Sequence, residues 1–143
     1  RLGYVYYRQG RYDDAIRAYE RELAFLSSSD HVLRDRSLIE VNEKLGAAHL
    51  RKGMGEEAER YFQRALKGFD DRLGRGADDP FTRYYIATLH ALRGEAEPAV
   101  RSLRETLGKL PALTAPRVRT DPDFDAIREH PAFVDLINRA IEP

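Results

Sequence analysis

Residues 45–62 read Leu45-Gly46-Ala47-Ala48-His49-Leu50-Arg51-Lys52-Gly53-Met54-Gly55-Glu56-Glu57-Ala58-Glu59-Arg60-Tyr61-Phe62. Four marks in this stretch recur along the chain: Leu45-Gly46, Gly53, Ala58 and Phe62. They stand 43 residues earlier as Leu2-Gly3, Gly10, Ala15 and Tyr19. They stand 41 residues later as Ile86-Ala87, Gly94, Ala99 and Leu103. A repeat of this length implies stacked helical hairpins. Such stacks present a surface to a partner more often than they carry chemistry.

Each repeat reads as two amphipathic helices joined by a tight turn: Gln9-Gly10-Arg11, Lys52-Gly53-Met54-Gly55 and Arg93-Gly94-Glu95. Glycine closes a helix by entering the left-handed region, and a cation there faces the negative end of the dipole. Acidic residues open the second helices (Asp13, Asp14; Glu56, Glu57; Glu95, Glu97), and Pro98 suits a first helical turn. Gly3, Gly46 and Ala87 fall within first helices, where glycine costs up to about 1 kcal/mol against alanine. Close approach of a second helix explains them. Ala15, Ala58 and Ala99 are the matching small residues on the second helices. Four residues on, Tyr19, Phe62 and Leu103 share their face and are expected to fill the space between hairpins. Asp13 with Arg17, Glu56 with Arg60 and Glu97 with Arg101 are expected to pair at i, i+4.

The first helices of the second and third repeats are expected to begin near Ser37 and Phe81. Polar connectors lie at Ser27–Asp30 and at Gly74–Pro80, the latter ending in Asp79 as an N-cap before Pro80. The expected divisions are repeats over 1–33, 34–76 and 77–111, then a linker and C-terminal helical cap over 112–143. Residues 111–120 read as that linker. Asp121-Pro122-Asp123 opens a short helix with Phe124 and Ile127. A last helix from about Pro131 carries Phe133, Leu136, Ile137 and Ala140 at i, i+3, i+4 and i+7. Only Arg1 precedes the first Leu-Gly pair, so the reading expects a longer chain cut on that side and a natural end at the cap.

Hydrophobic residues make up 42% and charged residues 34%, the balance of a globular chain rather than a disordered one. Lys plus Arg and Asp plus Glu are 24 each. The chain has no net field to gather nucleic acid or an anionic membrane. No apolar run approaches the roughly 20 residues of a membrane span, and no signal-peptide pattern opens the chain. Cysteine is absent, which removes disulfides and thiolate chemistry and fits the cytoplasm.

Together these residues resemble the tetratricopeptide repeat (TPR) family. Its pattern has Leu-Gly, an aromatic three residues after the glycine, then alanine, an aromatic four after it, and a closing proline. Here the places are held by Leu2-Gly3, Tyr6, Ala15 and Tyr19, then by Leu45-Gly46, His49, Ala58 and Phe62. The third repeat gives Ile86-Ala87, His90, Ala99, Leu103 and Pro111. The resemblance covers about residues 1–111. Asp121–Phe133 resembles the segment that follows bacterial TPR arrays, which implies a bacterial protein. The family period is 34, shorter than the spacings here. The family's first aromatic is replaced by Asn42 and Arg83.

The resemblance implies an all-α, right-handed α-solenoid of antiparallel helix hairpins, whose first helices line a concave groove. The groove candidates are Tyr4, Tyr7 and Arg8; Glu40, Glu43, Lys44, Ala47 and Arg51; and Phe81, Tyr84, Tyr85 and Thr88. Tyrosine and arginine are the residue types that anchor interfaces. The expected function is a protein–protein interaction scaffold that holds a peptide or helix as part of a larger protein. The alternative is an intramolecular regulatory or oligomerisation module of a multidomain protein, such as a kinase or transferase. Self-association is expected through the face of Leu2 and Tyr6. The carboxylate clamp of chaperone-binding TPR domains is not expected, since Tyr4, Glu43 and Ala47 hold its places.

Nothing points to an enzyme, a metal or another cofactor. No phosphate loop, His-Glu-x-x-His or Gly-x-Ser-x-Gly is present. His49 and His90 hold equivalent places, which suit packing better than metal binding or pH sensing. His31 and His130 lie in loops. The carboxylate pairs, Asp70-Asp71 among them, read as solvated. Arg101, Arg104, Lys109, Arg117 and Arg119 form a basic stretch, but Glu97, Glu105 and the lack of stacking aromatics argue against nucleic acid.

Overall fold

The computed structural model describes residues 1–30 and 33–141; His31 lies outside them. The described chain is all-α and TPR-like, with no strand among the described residues. It divides into two compact units, Arg1–Ala77 and Asp78–Pro143.

The first unit holds α1 (Leu2–Arg8), α2 (Tyr12–Ser27), α3 (Arg34–Arg51) and α4 (Gly55–Gly74), each packed on the next. The second holds α5 (Pro80–Leu92), α6 (Ala96–Lys109), α7 (Pro111–Thr120), a 3-10 helix (Pro122–Ile127) and α8 (Pro131–Ile141). There α5 packs on α6 and on the 3-10 helix, and α8 packs on both α6 and α7. α3 starts three residues before the expected Ser37, and α5 one before Phe81.

The turns close as the sequence predicts. Gly10, Gly53 and Gly94 have φ of 74°, 79° and 77°. The residue after each glycine donates its N–H five residues back: Arg11 to Tyr6, Met54 to His49 and Glu95 to His90, all at 2.9 Å. Each glycine donates three residues back, to Tyr7, Leu50 and Ala91. That pair of bonds satisfies the last helical carbonyls, and it requires a residue at ease with positive φ.

Gly46 serves a different purpose. A Cβ at position 46 would lie 2.4 Å from Phe62 Cε1, and one at position 3 would lie 2.9 Å from the Tyr19 ring. The rings of α2 and α4 thus rest on bare backbone of α1 and α3, inside each hairpin rather than only between hairpins as the sequence reading expects. In the third hairpin Ala87 replaces the glycine and Leu103 replaces the ring, both within one buried cluster. A smaller partner leaves room for one methyl.

Two expectations are corrected. Residues 111–120 are helix α7, not a linker. Leu110 alone separates it from α6. Pro111 sits in its first turn, where the missing N–H costs nothing. The far end is capped from a distance: the Arg128 guanidinium donates to the carbonyls of Val118 (3.3 Å), Arg119 (3.1 Å) and Asp121 (2.7 Å). Val118 is buried with Phe124 and Phe133.

The charge pairs also differ in register. Arg17 binds Asp14, and Arg60 binds Glu57 at 2.8 Å, both at i, i+3. Asp13 instead binds Lys52 on the next hairpin. No ion pair joins Glu97 to Arg101 among the described residues. The place equivalent to Asp14 and Glu57 holds Pro98 in the third hairpin, which leaves Arg101 without that acid.

Candidate functional site

The candidate residues follow the helical period, but their exposure divides them. In the first unit Tyr4 and Glu40 are half-buried and Arg8 and Arg51 are exposed, whereas Tyr7, Glu43, Lys44 and Ala47 are buried. In the second unit Phe81 is exposed and Tyr85 half-buried, while Tyr84 and Thr88 are buried.

Within the first unit, tyrosines and cations converge. Lys44 Nζ lies 5.5 Å from the Tyr4 ring centroid and 6.0 Å from that of Tyr7. A cation over a ring face is attracted by the ring quadrupole. Lys44 Nζ also lies 3.3 Å from Glu43 Oε2, a pair with side-chain exposures of 2% and 0%. The Arg8 guanidinium donates to the Tyr4 hydroxyl at 3.5 Å. Arg51 Nε donates to the Tyr7 hydroxyl at 3.2 Å. Arg1 bridges Glu40 (2.9 Å) and Glu22 (3.0 Å). Burial holds the Glu22 carboxyl above its ordinary range, partly offset by Arg1. Burial likewise raises the Tyr19 phenol.

The aromatic residues of the second unit turn largely inward. Tyr84 is 4% exposed, and its hydroxyl donates to Asp121 Oδ2 at 2.7 Å. Its ring meets Phe124 edge-on, with 5.8 Å between centroids. The Arg117 guanidinium sits 4.4 Å from the Tyr84 centroid and 5.7 Å from that of Tyr85. Thr88 donates to the Tyr85 carbonyl at 2.8 Å. Asp121 also caps the 3-10 helix through the Asp123 N–H at 3.0 Å. Tyr84 therefore fastens the C-terminal helices to α5. Nothing in the local spacing of Tyr84 announces Asp121; only the Asp-Pro-Asp cap signature hints that this aspartate is structural.

The described histidines, His49, His90 and His130, have local partners. His49 is buried and stacks on Tyr61 at 5.1 Å, with Nδ1 2.8 Å from the Leu45 carbonyl. His90 Nδ1 lies 2.9 Å from Glu95 Oε1, and this contact holds the Glu95 carboxyl below its ordinary range. The imidazole of His130 accepts from the Ala132 N–H at 3.1 Å. Among the described residues no group of three or more His, Asp or Glu side chains could hold a metal ion. No described helix is long and apolar enough to cross a membrane.

The sequence profile of one family, described as "Tetratricopeptide repeat", matches residues 1–26. The match spans α1, its glycine turn and most of α2, the hairpin in which Tyr19 rests on Gly3. No curated protein and no solved structure matches the chain. Repeats of this family generally mediate protein–protein interaction and are typically non-catalytic scaffolds. The match, with the hairpins that continue its pattern, supports assignment of this chain to the tetratricopeptide repeat family.

Proposed function

We propose that the chain is a protein-interaction module whose first unit binds a peptide or helix along the face of Tyr4, Arg8, Glu40 and Arg51. The carrying observation is the convergence of Tyr4 and Tyr7 with Arg8, Lys44 and Arg51 on two neighbouring helices. Tyrosines already fixed by cations lose little freedom on binding, which favours affinity. Glu40 is engaged by Arg1, and Glu43 lies against Lys44. Arg8 and Arg51 are cations with exposed surface on this face, and a segment carrying carboxylates would meet them there. In the second unit Phe81 and Tyr85 are the candidates with exposed surface. Tyr7, Glu43, Lys44 and Ala47 support the face from beneath. A cytoplasmic setting in a bacterial protein completes this reading.

The test is capture from native lysate by the wild-type chain beside a Tyr4→Ala, Arg8→Ala, Arg51→Ala variant with unchanged helicity. A partner held by the wild type and lost by the variant supports the face. A partner held equally by both refutes it.

A second reading rests on Leu2 and Val5. Both are apolar, on one turn of α1, and 55% and 47% exposed. They would join α1 to another apolar surface, in a second copy or in the intramolecular arrangement of a multidomain protein. Sedimentation of wild type beside Leu2→Lys, Val5→Glu separates this reading from the first.

A further inference from the structure

Between α3 and α4 lies an open cleft of about 320 Å³. Its apolar floor is Leu38 and Ile39 of α3 with Gly68 of α4. Gly68 keeps the floor low, since a Cβ there would lie 3.0 Å from Ile39 Cγ1. Asn42, one turn along α3, also lines the cleft and is 7% exposed. Its Nδ2 donates to the Leu38 carbonyl at 2.9 Å, while its Oδ1 is buried with no hydrogen-bond partner. A buried acceptor without a donor is costly, and a ligand N–H would remove the cost. The terminal amide torsion of asparagine is broad, so Oδ1 can turn toward an arriving donor.

The rim narrows the ligand class. Arg75 binds Asp35 at 3.2 Å and Lys67 binds Asp71 at 3.1 Å. Both acids of the rim are thus matched by cations, so the rim offers no unmatched carboxylate to a cationic ligand. Arg64 lines the same cleft, 5.2 Å from the Tyr61 ring, where its guanidinium can flank a second ring. An apolar cavity of roughly 150 Å³ holds benzene, so this cleft has room for a bicyclic ring. A flat apolar ring that carries one N–H donor is an indole. Asn42 also stands where the repeat pattern places an aromatic residue.

We propose that this cleft receives the tryptophan side chain of a partner protein, with the ring on Leu38, Ile39 and Gly68 and the indole N–H donating to Asn42 Oδ1. The chain contains no tryptophan. A second copy of these 143 residues therefore cannot supply the ring, and the proposed occupant is a segment of a different protein. The cleft shares no residue with the tyrosine–arginine face, so either site can fail without the other.

The lack of tryptophan also makes the test clean, because all indole fluorescence comes from the probe. The whole 143-residue chain is titrated into N-acetyl-tryptophanamide, read by emission shift and anisotropy. Saturable binding with a blue shift is expected. The N1-methyl analogue, in which a methyl group replaces the donor hydrogen, should bind about tenfold more weakly. Asn42→Leu should erase that difference between probes, and far-UV circular dichroism checks its fold. Three results overturn the proposal: no saturable change with wild type, equal binding of the two probes by wild type, or binding of free indole but not of the capped amino acid. The probe comparison on wild type stands even where Asn42→Leu fails to fold.

Discussion

Gly46→Ala tests the packing that defines the hairpins. On propensity alone the substitution should stabilise α3 by about 1 kcal/mol, since alanine outranks glycine in a helix interior. The structure predicts the opposite sign. The added methyl would lie 2.4 Å from Cε1, 2.5 Å from Cδ1 and 3.0 Å from Cζ of Phe62. Carbon atoms in contact prefer roughly 3.5–4.0 Å, so the ring or the helix must move by about an ångström. Phe62 is 2% exposed and cannot swing into solvent. Forcing one methyl into a filled core costs about 1–3 kcal/mol. After the propensity gain, a net loss of up to about 2 kcal/mol is expected. The third hairpin supplies the rescue, because it pairs Ala87 with Leu103. Phe62→Leu alone should destabilise by leaving a void, and Gly46→Ala should then cost less or help. A double-mutant cycle in urea, followed by far-UV circular dichroism, should return a coupling of at least about 1 kcal/mol. A Gly46→Ala chain more stable than wild type, or an additive cycle, would refute the ring-on-glycine contact.

Further outcomes follow from the capped and buried polar groups. Tyr84→Phe strips Asp121 Oδ2 of its 2.7 Å donor and should cost about 1.5–3 kcal/mol, the range for hydrogen bonds to charged groups. Hydrogen exchange should place that loss in α5 and the C-terminal helices. Asp79→Ala removes the carboxylate that accepts from the Thr82 N–H at 2.9 Å, at a cost of about 1 kcal/mol in a thermal melt. Acid should also destabilise the chain. Asp13 is held below its ordinary range by Lys52, Asp14 by Arg17 and Arg11, Asp78 by Arg83 and Glu95 by His90. A carboxyl lowered by folding contributes stability that is present above its unfolded pKa and lost as pH falls through the folded value. Glu22, raised by burial, acts in the opposite sense. The melting temperature should therefore fall as pH drops below the ordinary values of 3.8 and 4.5, and Arg83→Gln should flatten that decline.

The hairpins were legible because each of their rules is local. A glycine with positive φ closes a turn through bonds three and five residues back, all inside a short window. Gly46 and Phe62 are 16 residues apart, within the span of one repeat, so their match recurs with the period. Helix α7 was not legible for the converse reason. Pro116 stands inside it, a residue that removes a backbone donor and argues against helix. Its apolar residues follow no helical stripe. What secures its end is Arg128, several residues beyond it and across a 3-10 helix. The charge pairs slipped by one position for a simpler reason. Arginine reaches i−3 as readily as i−4 on a helix, and Asp13 had a better partner in Lys52 on the next hairpin.

The proposed binding face marks where periodicity stops informing. Glu43 and Tyr84 are equivalent by the repeat, 41 residues apart, as are Lys44 and Tyr85. Period alone assigns each pair one direction from its helix. Yet Lys44 is 2% exposed beside Tyr4 and Tyr7, while Tyr85 keeps exposed surface in its own unit. Tyr84 is closed over by Asp121 and Phe124, segments that have no counterpart in the first two repeats. A helical period states where a side chain points. Whether it meets solvent depends on which other segment arrives there, and for Tyr84 that segment lies 37 residues on. The residues that keep both the direction and the exposure, Tyr4, Arg8 and Arg51 in the first unit, are therefore the ones whose loss should separate binding from folding.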